Sequence, residues 1–299
     1  MDVLDSTISP RRAELLARLA AERSFLLQQL EGVDEAALTD SVVTPGWTVA
    51  ALLAHLAYWE AFAADRLAKV ADGRPDDIRL LTADDSLDDR NEVMQRRFAG
   101  IAFDEALAMV AKERRGFLLT LRRLDDETLE RRVRLRPGRR VAPGVWARQP
   151  HRHDADHAAE LVRWRARYPA NDPSVRVIHR ALLRPILSLS RQELLAVAAV
   201  VAPEEYETRP IEGMWTLKQI VGHLSDYDRL GVLALRQLSA GLEPTYERSI
   251  EDFEAYNVER GAAWAAVPWG EAWAHYVATR RALLAVATTL DDAALARPF

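Results

Sequence analysis

Apolar residues recur at three- and four-residue spacing along most of the chain, the period of an amphipathic helix. After Pro10-Arg11-Arg12, the run Leu15, Leu16, Leu19, Leu26, Leu27 and Leu30 predicts a helix reaching about Leu30. Leu52, Leu56, Trp59 and Phe62 predict a second, from about Val49 to Val70, with Thr48 as N-cap and a stop near Gly73 and Pro75. A polar connection containing Gly32, Asp34 and Pro45 joins the two. A short helix is expected from Leu87 to Phe98, and a longer one after Gly100, capped by Asp104 and ending near Leu124-Asp125-Asp126. Pro150 suits the first turn of the next helix, whose stripe reads His153, His157, Leu161 and Trp164 and which ends around Tyr168-Pro169.

The pattern then repeats. Gly46-Trp47-Thr48 followed by an apolar run to His55-Leu56 returns as Gly213-Met214-Trp215-Thr216 and a run to His223-Leu224, at an offset of 168 residues between the histidines. Arg90-Asn91 matches Tyr256-Asn257, and Leu124-Asp125-Asp126 matches Leu290-Asp291-Asp292, both offset by 166. This period is far longer than a solenoid repeat. It predicts two all-α units, residues 1–170 and 174–299, divided at Asn171-Asp172-Pro173-Ser174, with a new helix from Val175. The second copy has no counterpart of the His153 helix. Its three helices leave an apolar face, which is expected to pack against the first unit as a pseudo-dimer or against another chain. The Asn91–Asn257 match argues for a shared structural role, a side-chain bond to backbone.

Composition narrows the chemistry. The chain has no cysteine, which excludes disulfides, thiolate metal sites and cysteine nucleophiles. A net charge of −5 gives no general basic field for nucleic acid. The first residues lack a basic and apolar leader pattern, and no apolar run approaches a bilayer span, so a cytoplasmic protein without membrane contact is the default expectation. Residues 131–148 form a basic loop or loose hairpin with Arg131, Arg132, Arg134, Arg136, Arg139, Arg140 and Arg148. Guanidinium groups suit an anionic cosubstrate. The favoured reading is a solvated surface balancing the acidic loop at Asp76, Asp77, Asp84, Asp85, Asp88 and Asp89.

Three of the seven histidines crowd into residues 151–157. The i, i+4 spacing sets His153 and His157 on one helix face, about 6 Å apart at Cβ. His55, on the edge of its own stripe, supplies a third imidazole from a facing helix. A lone histidine there is more often a hydrogen-bonded core residue, but the crowding favours a metal site. Neutral imidazoles suit zinc, nickel, copper or iron, and three protein ligands with an open fourth position describe a catalytic site. Asp154 falls where the glutamate of a His-Glu-x-x-His protease would stand. That match is read as coincidence, since aspartate is a methylene shorter and neither a third protease ligand nor a substrate-holding strand is evident. His151 lies off the ligand face and is expected to be exposed. Trp59 and Trp164 are candidates to line a pocket, although aromatics on helix stripes are more often core.

The Trp-Thr-x6-His-Leu helix, the His-x-x-x-His helix and four helices per unit together resemble the DinB/YfiT-like superfamily of metalloenzymes, fully over about residues 10–168 and partially over 174–299. The resemblance implies a four-helix bundle, often dimeric, with His55, His153 and His157 holding a divalent metal, zinc or nickel foremost. It implies a thiol-dependent S-transferase or isomerase acting on a small electrophile, as in mycothiol-dependent maleylpyruvate isomerase and the bacillithiol S-transferases. The absent cysteine is consistent with a low-molecular-weight thiol supplied as cosubstrate. The second copy keeps His223 without a His-x-x-x-His partner, and His179 and His275 lie elsewhere, so it reads as a degenerate structural copy without metal. The alternative is a non-catalytic bundle that binds or sequesters a small molecule or protein.

Overall fold

The computed structural model describes residues 8–33, 35–78, 87–135, 138–167, 180–245, 250–291 and 295. The chain divides into two compact units, one of Arg18–Asn171 and one of Asp172–Phe299 together with Met1–Ala17. Asp84, Asp85, Arg136, the boundary at 171–174, Val175 and His179 lie outside the described residues.

Four long helices build the Arg18–Asn171 unit: α1 (Pro10–Gln28, from Arg18 onward), α3 (Val49–Ala71), α5 (Phe103–Leu121) and α7 (Gly144–Arg167). Short helices α2 (Glu35–Asp40), α4 (Leu87–Phe98) and α6 (Asp126–Glu130) lie between them. The leucine stripes meet inside. Leu26, Leu27, Leu30, Leu52, Leu53, Leu67, Phe117 and Leu161 are almost completely buried, each stabilising the bundle by about 1.5–3 kcal/mol. Helix α3 packs against both α5 and α7.

What the sequence presents as a polar connection before α3 holds α2 and a small hairpin. Strands β1 (Val42–Thr44) and β2 (Trp47–Thr48) pair antiparallel across Pro45-Gly46, where Gly46 takes φ of 82°. A non-glycine residue is strained in that conformation. The hairpin therefore delivers Trp47 and Thr48 in a fixed pose, and Thr48 Oγ1 accepts the amide of Ala51 at 3.2 Å. Such a cap is worth about 1 kcal/mol. The arginine-rich segment is also a hairpin, β3 (Val133–Arg134) paired with β4 (Arg140–Val141).

Two helix starts differ from expectation. Ala102, not Asp104, is the N-cap of α5, and Asp104 sits in the first turn, where a carboxylate still complements the helix dipole. Helix α7 begins at Gly144, with Pro150 inside it. The turn before Pro150 buries Trp146 and Ala147, which offsets the backbone hydrogen bond that proline lacks.

The second unit repeats the plan with α8 (Arg180–Ala198), the hairpin β5 (Pro210–Glu212) and β6 (Trp215–Thr216), then α9 (Leu217–Ser239), α10 (Phe253–Ala265) and α11 (Trp269–Thr289). Thr216 caps α9 in a full capping box with Gln219. Its core lies in two clusters, one around Leu235, Leu238, Leu283 and Ala287 and one around Ala198, Leu217, Val221 and Tyr276. Among the described residues no counterpart of α7 follows α11. No described helix is long and apolar enough to cross a membrane.

Candidate metal centre

His55 stands in the second turn of α3, and His153 and His157 on successive turns of α7. Because α3 and α7 pack together, the three imidazoles converge. Nε2 of His153 lies 3.0 Å from Nε2 of His55 and 3.0 Å from Nε2 of His157. One nitrogen from each ring falls within 4.8 Å of the others. Two ligands on one tetrahedral zinc at about 2.0–2.1 Å stand roughly 3.3 Å apart, close to the spacing here.

Protons alone serve this cluster poorly. An imidazole nitrogen offers either one N–H or one lone pair, so His153 Nε2 cannot make two good hydrogen bonds with the two nitrogens facing it. Nδ1 of His157 pairs with Oε2 of Glu160 at 2.8 Å. Donation of the Nδ1 proton to that carboxylate leaves the His157 Nε2 lone pair turned to the cluster. Burial, with His153 and His157 adding to it, pushes His55 down to about 3. Burial and then His157 push His153 down to about 3. Both are neutral at physiological pH, as metal ligands must be. A cation at the point of convergence satisfies all three lone pairs.

Trp47 closes one side of the cluster, its ring edge-on to His55 at 4.6 Å. Trp59 borders it more loosely, with ring centroids 6.4 Å from His55. Trp164 is buried two turns beyond His157 on α7. His151, expected to be exposed, is instead buried, and burial followed by the charges of Arg152 and Arg18 lowers its pKa. The turn of α7 after Pro150 packs more deeply than a surface stripe, so its off-face positions are covered as well.

Beneath the histidines lies a feature that the sequence reading missed. Arg23 on α1, Glu60 on α3, Arg114 on α5 and Asp154 on α7 form a buried ring that joins all four long helices. Arg23 Nη2 donates to Glu60 Oε2 at 3.1 Å and to Asp154 Oδ1 at 2.8 Å. Arg114 Nη2 donates to Asp154 Oδ2 at 2.7 Å, and its Nη1 donates to the Leu19 carbonyl at 2.7 Å. Arg114 Nε stands 2.5 Å from Glu60 Oε1 as an ion pair. Burial opposes the charge on Asp154, but Arg23 and Arg114 overcome it and hold the carboxyl below its ordinary range. For Glu60 burial wins, and its pKa rises despite Arg114 and Arg23. Both oxygens of Asp154 are thus engaged, which accounts for an aspartate beside His153 without a general-base role.

In the second unit, His223 keeps the contact its counterpart makes, with Trp215 at 4.9 Å, and Tyr227 packs on it at 4.6 Å. Among the described residues no second ligand cluster forms around it. The polar residues near it serve the scaffold. Asp226 accepts from Arg260 and from the indole of Trp264, and Gly222 leaves room for that indole, which a Cβ would overlap. The expected asparagine–backbone bond is replaced by a side-chain bond, since Asn257 Oδ1 accepts from Tyr227 Oη at 3.1 Å. Trp59 occupies the matching position in the first unit, and Asn91 Oδ1 there is buried without a partner.

Comparison with known families returns one assignment twice over. The family model described as DinB superfamily matches residues 18–161 and again 186–299. No curated protein and no solved structure matches the chain. The three-histidine cluster in the first matched region fits a metal-binding protein of that kind.

Proposed function

The chain belongs to the DinB superfamily, and from that premise we propose that it is a divalent-metal-dependent enzyme, with His55, His153 and His157 as ligands, that transfers or isomerises a small electrophile with the help of a low-molecular-weight thiol. The observation that carries this reading is the convergence of three imidazole nitrogens, two of the spacings being 3.0 Å. Three protein ligands leave a coordination position open for exchange. Zinc or nickel suits an all-imidazole donor set.

Each residue has a task in this reading. Glu160 sets the tautomer and orientation of His157 through Nδ1. The buried ring through Asp154 fixes the turn of α7 that presents His153. Trp47 and Trp59 limit water around His55. A divalent cation bound here would stabilise a thiolate and raise its concentration at neutral pH. The chain carries no cysteine, so that thiol comes from a cosubstrate. The substrate is a small molecule, and neither nucleic acid nor membrane is proposed as a partner. A cytoplasmic location, where reduced low-molecular-weight thiols are abundant, suits this chemistry.

The test is adduct formation between a panel of thiols (mycothiol, bacillithiol, glutathione) and a small electrophile, with protein loaded with zinc or nickel. Turnover that needs both metal and thiol, and disappears in His153→Ala, is the expected result. Tight metal binding with no turnover on any thiol–electrophile pair would contradict it and favour a bundle that binds its ligand without chemistry.

A further inference from the structure

The second unit repeats the buried charge ring of the first, but among the described residues one place has no counterpart. Arg191, Asp228 and Arg280 follow Arg23, Glu60 and Arg114 at offsets of 168, 168 and 166 residues. The bonds repeat too. Arg280 Nε donates to Asp228 Oδ2 at 2.7 Å, and its Nη1 donates to the Leu187 carbonyl at 2.9 Å and to Ser190 Oγ at 3.1 Å. Leu187 is to Arg280 what Leu19 is to Arg114. Arg191 lies close enough to Asp228 to favour its carboxylate.

The difference is at Nη2. In Arg114 that nitrogen donates to Asp154. In Arg280, which is 6% exposed, it meets no acceptor among the described residues. A second donor without a partner lies on the same helix. Tyr276, one turn earlier on α11, has no exposed surface, and its hydroxyl is buried without a partner. The Arg280 guanidinium lies 5.5 Å from the centre of the Tyr276 ring. The corresponding position in the first unit is Val110, so the hydroxyl belongs to the second unit alone. A buried hydroxyl left unpaired, such as that of Tyr276, is unfavourable, and a ligand oxygen would recover that loss.

We propose that the second unit binds a small monocarboxylate through Arg280 Nη2 and Tyr276 Oη, in the place that Asp154 fills from within the chain in the first unit. A guanidinium edge and a hydroxyl suit a planar carboxylate. Asp228 disfavours anions of higher charge, and Arg280 disfavours cations. The site is separate from the three histidines and does not rest on the function proposed for them.

Acetate titrated into the full chain at constant ionic strength, with chloride as the balancing anion, tests this by calorimetry and thermal shift. Saturable binding is expected, weakened at least about tenfold by Arg280→Gln and severalfold by Tyr276→Phe, and unchanged in His153→Ala. Tyr276→Phe removes only a hydroxyl without a partner, so it keeps the fold and decides the matter if Arg280→Gln unfolds. Three results overturn the proposal: no saturable acetate binding, equal binding by Tyr276→Phe and the parent, or equal stabilisation by chloride. Dimerisation that depends on Arg280 and leaves no acetate site would also overturn it, assigning the spare donor to a protein carboxylate.

Discussion

The indole of Trp47 meets the imidazole of His55 edge-on at 4.6 Å, and Trp215 meets His223 the same way at 4.9 Å. The pairing follows from one local device used twice: a tight hairpin ends on Trp-Thr, the threonine caps the next helix, and the histidine comes round two turns later. The Trp–His contact therefore belongs to the scaffold. Only the first unit adds a helix bearing two more histidines. His223→Ala is expected to leave bound metal unchanged, whereas His157→Ala should abolish it, as read by metal analysis after dialysis. Equal loss in both would show that the second unit takes part.

Glu160 holds His157 through Nδ1 at 2.8 Å. Removing such a partner typically weakens metal affinity about 10–100-fold. Glu160→Ala should show that loss in a competition titration against a chromophoric chelator while its circular dichroism matches the parent. An unchanged affinity would make the pair a surface contact only.

The ring of Arg23, Glu60, Arg114 and Asp154 ties together four helices through groups that are all nearly buried. Asp154→Ala removes one of the two carboxylates that Arg23 and Arg114 share and leaves Glu60 alone between two buried guanidiniums. Breaking a buried pair in this way costs about 3–5 kcal/mol, so urea unfolding should shift by that amount. A change under about 1 kcal/mol would mean that water replaces the carboxylate at little cost.

Acid should destabilise the metal-free protein before its carboxylates titrate. His55 and His153 are held down at about 3, against an ordinary value of 6.5. Below about 6.5 the unfolded chain takes up protons at these two positions and the folded chain does not, so their contribution is complete above 6.5 and declines as pH falls towards 3. The Glu60 shift has the opposite sign, and it acts near and above the ordinary glutamate value. Urea midpoints at about pH 7 and about pH 5 should differ in metal-free protein, and His55→Leu should narrow the gap. A gap that His55→Leu leaves unchanged would show that this histidine protonates freely when folded.

The helices and the histidine cluster were legible because their determinants are local or repeated. Thr48 stands at a helix start, the leucines keep the helical period, and His153 and His157 share a face through their spacing alone. The charge ring was not legible in the same way, since Arg23, Glu60, Arg114 and Asp154 each look like solvated residues on a polar flank, and only the fold brings them together. One sign of it was available: three members recur as Arg191, Asp228 and Arg280 in the same register as the histidines and asparagines. Burial of His151 and the early start of α7 depend on how deeply Trp146 and Ala147 pack, which periodicity does not report. The hairpin before α3 was hidden because its strands are only two and three residues long.

The most direct test of the account is the metal content of protein purified without a histidine tag, compared with a His55→Ala, His153→Ala double variant. About one zinc or nickel per chain in the parent and none in the folded variant is the predicted result. A parent that holds no metal, even after zinc and nickel are supplied at neutral pH, would contradict the metal centre and every catalytic role built on it.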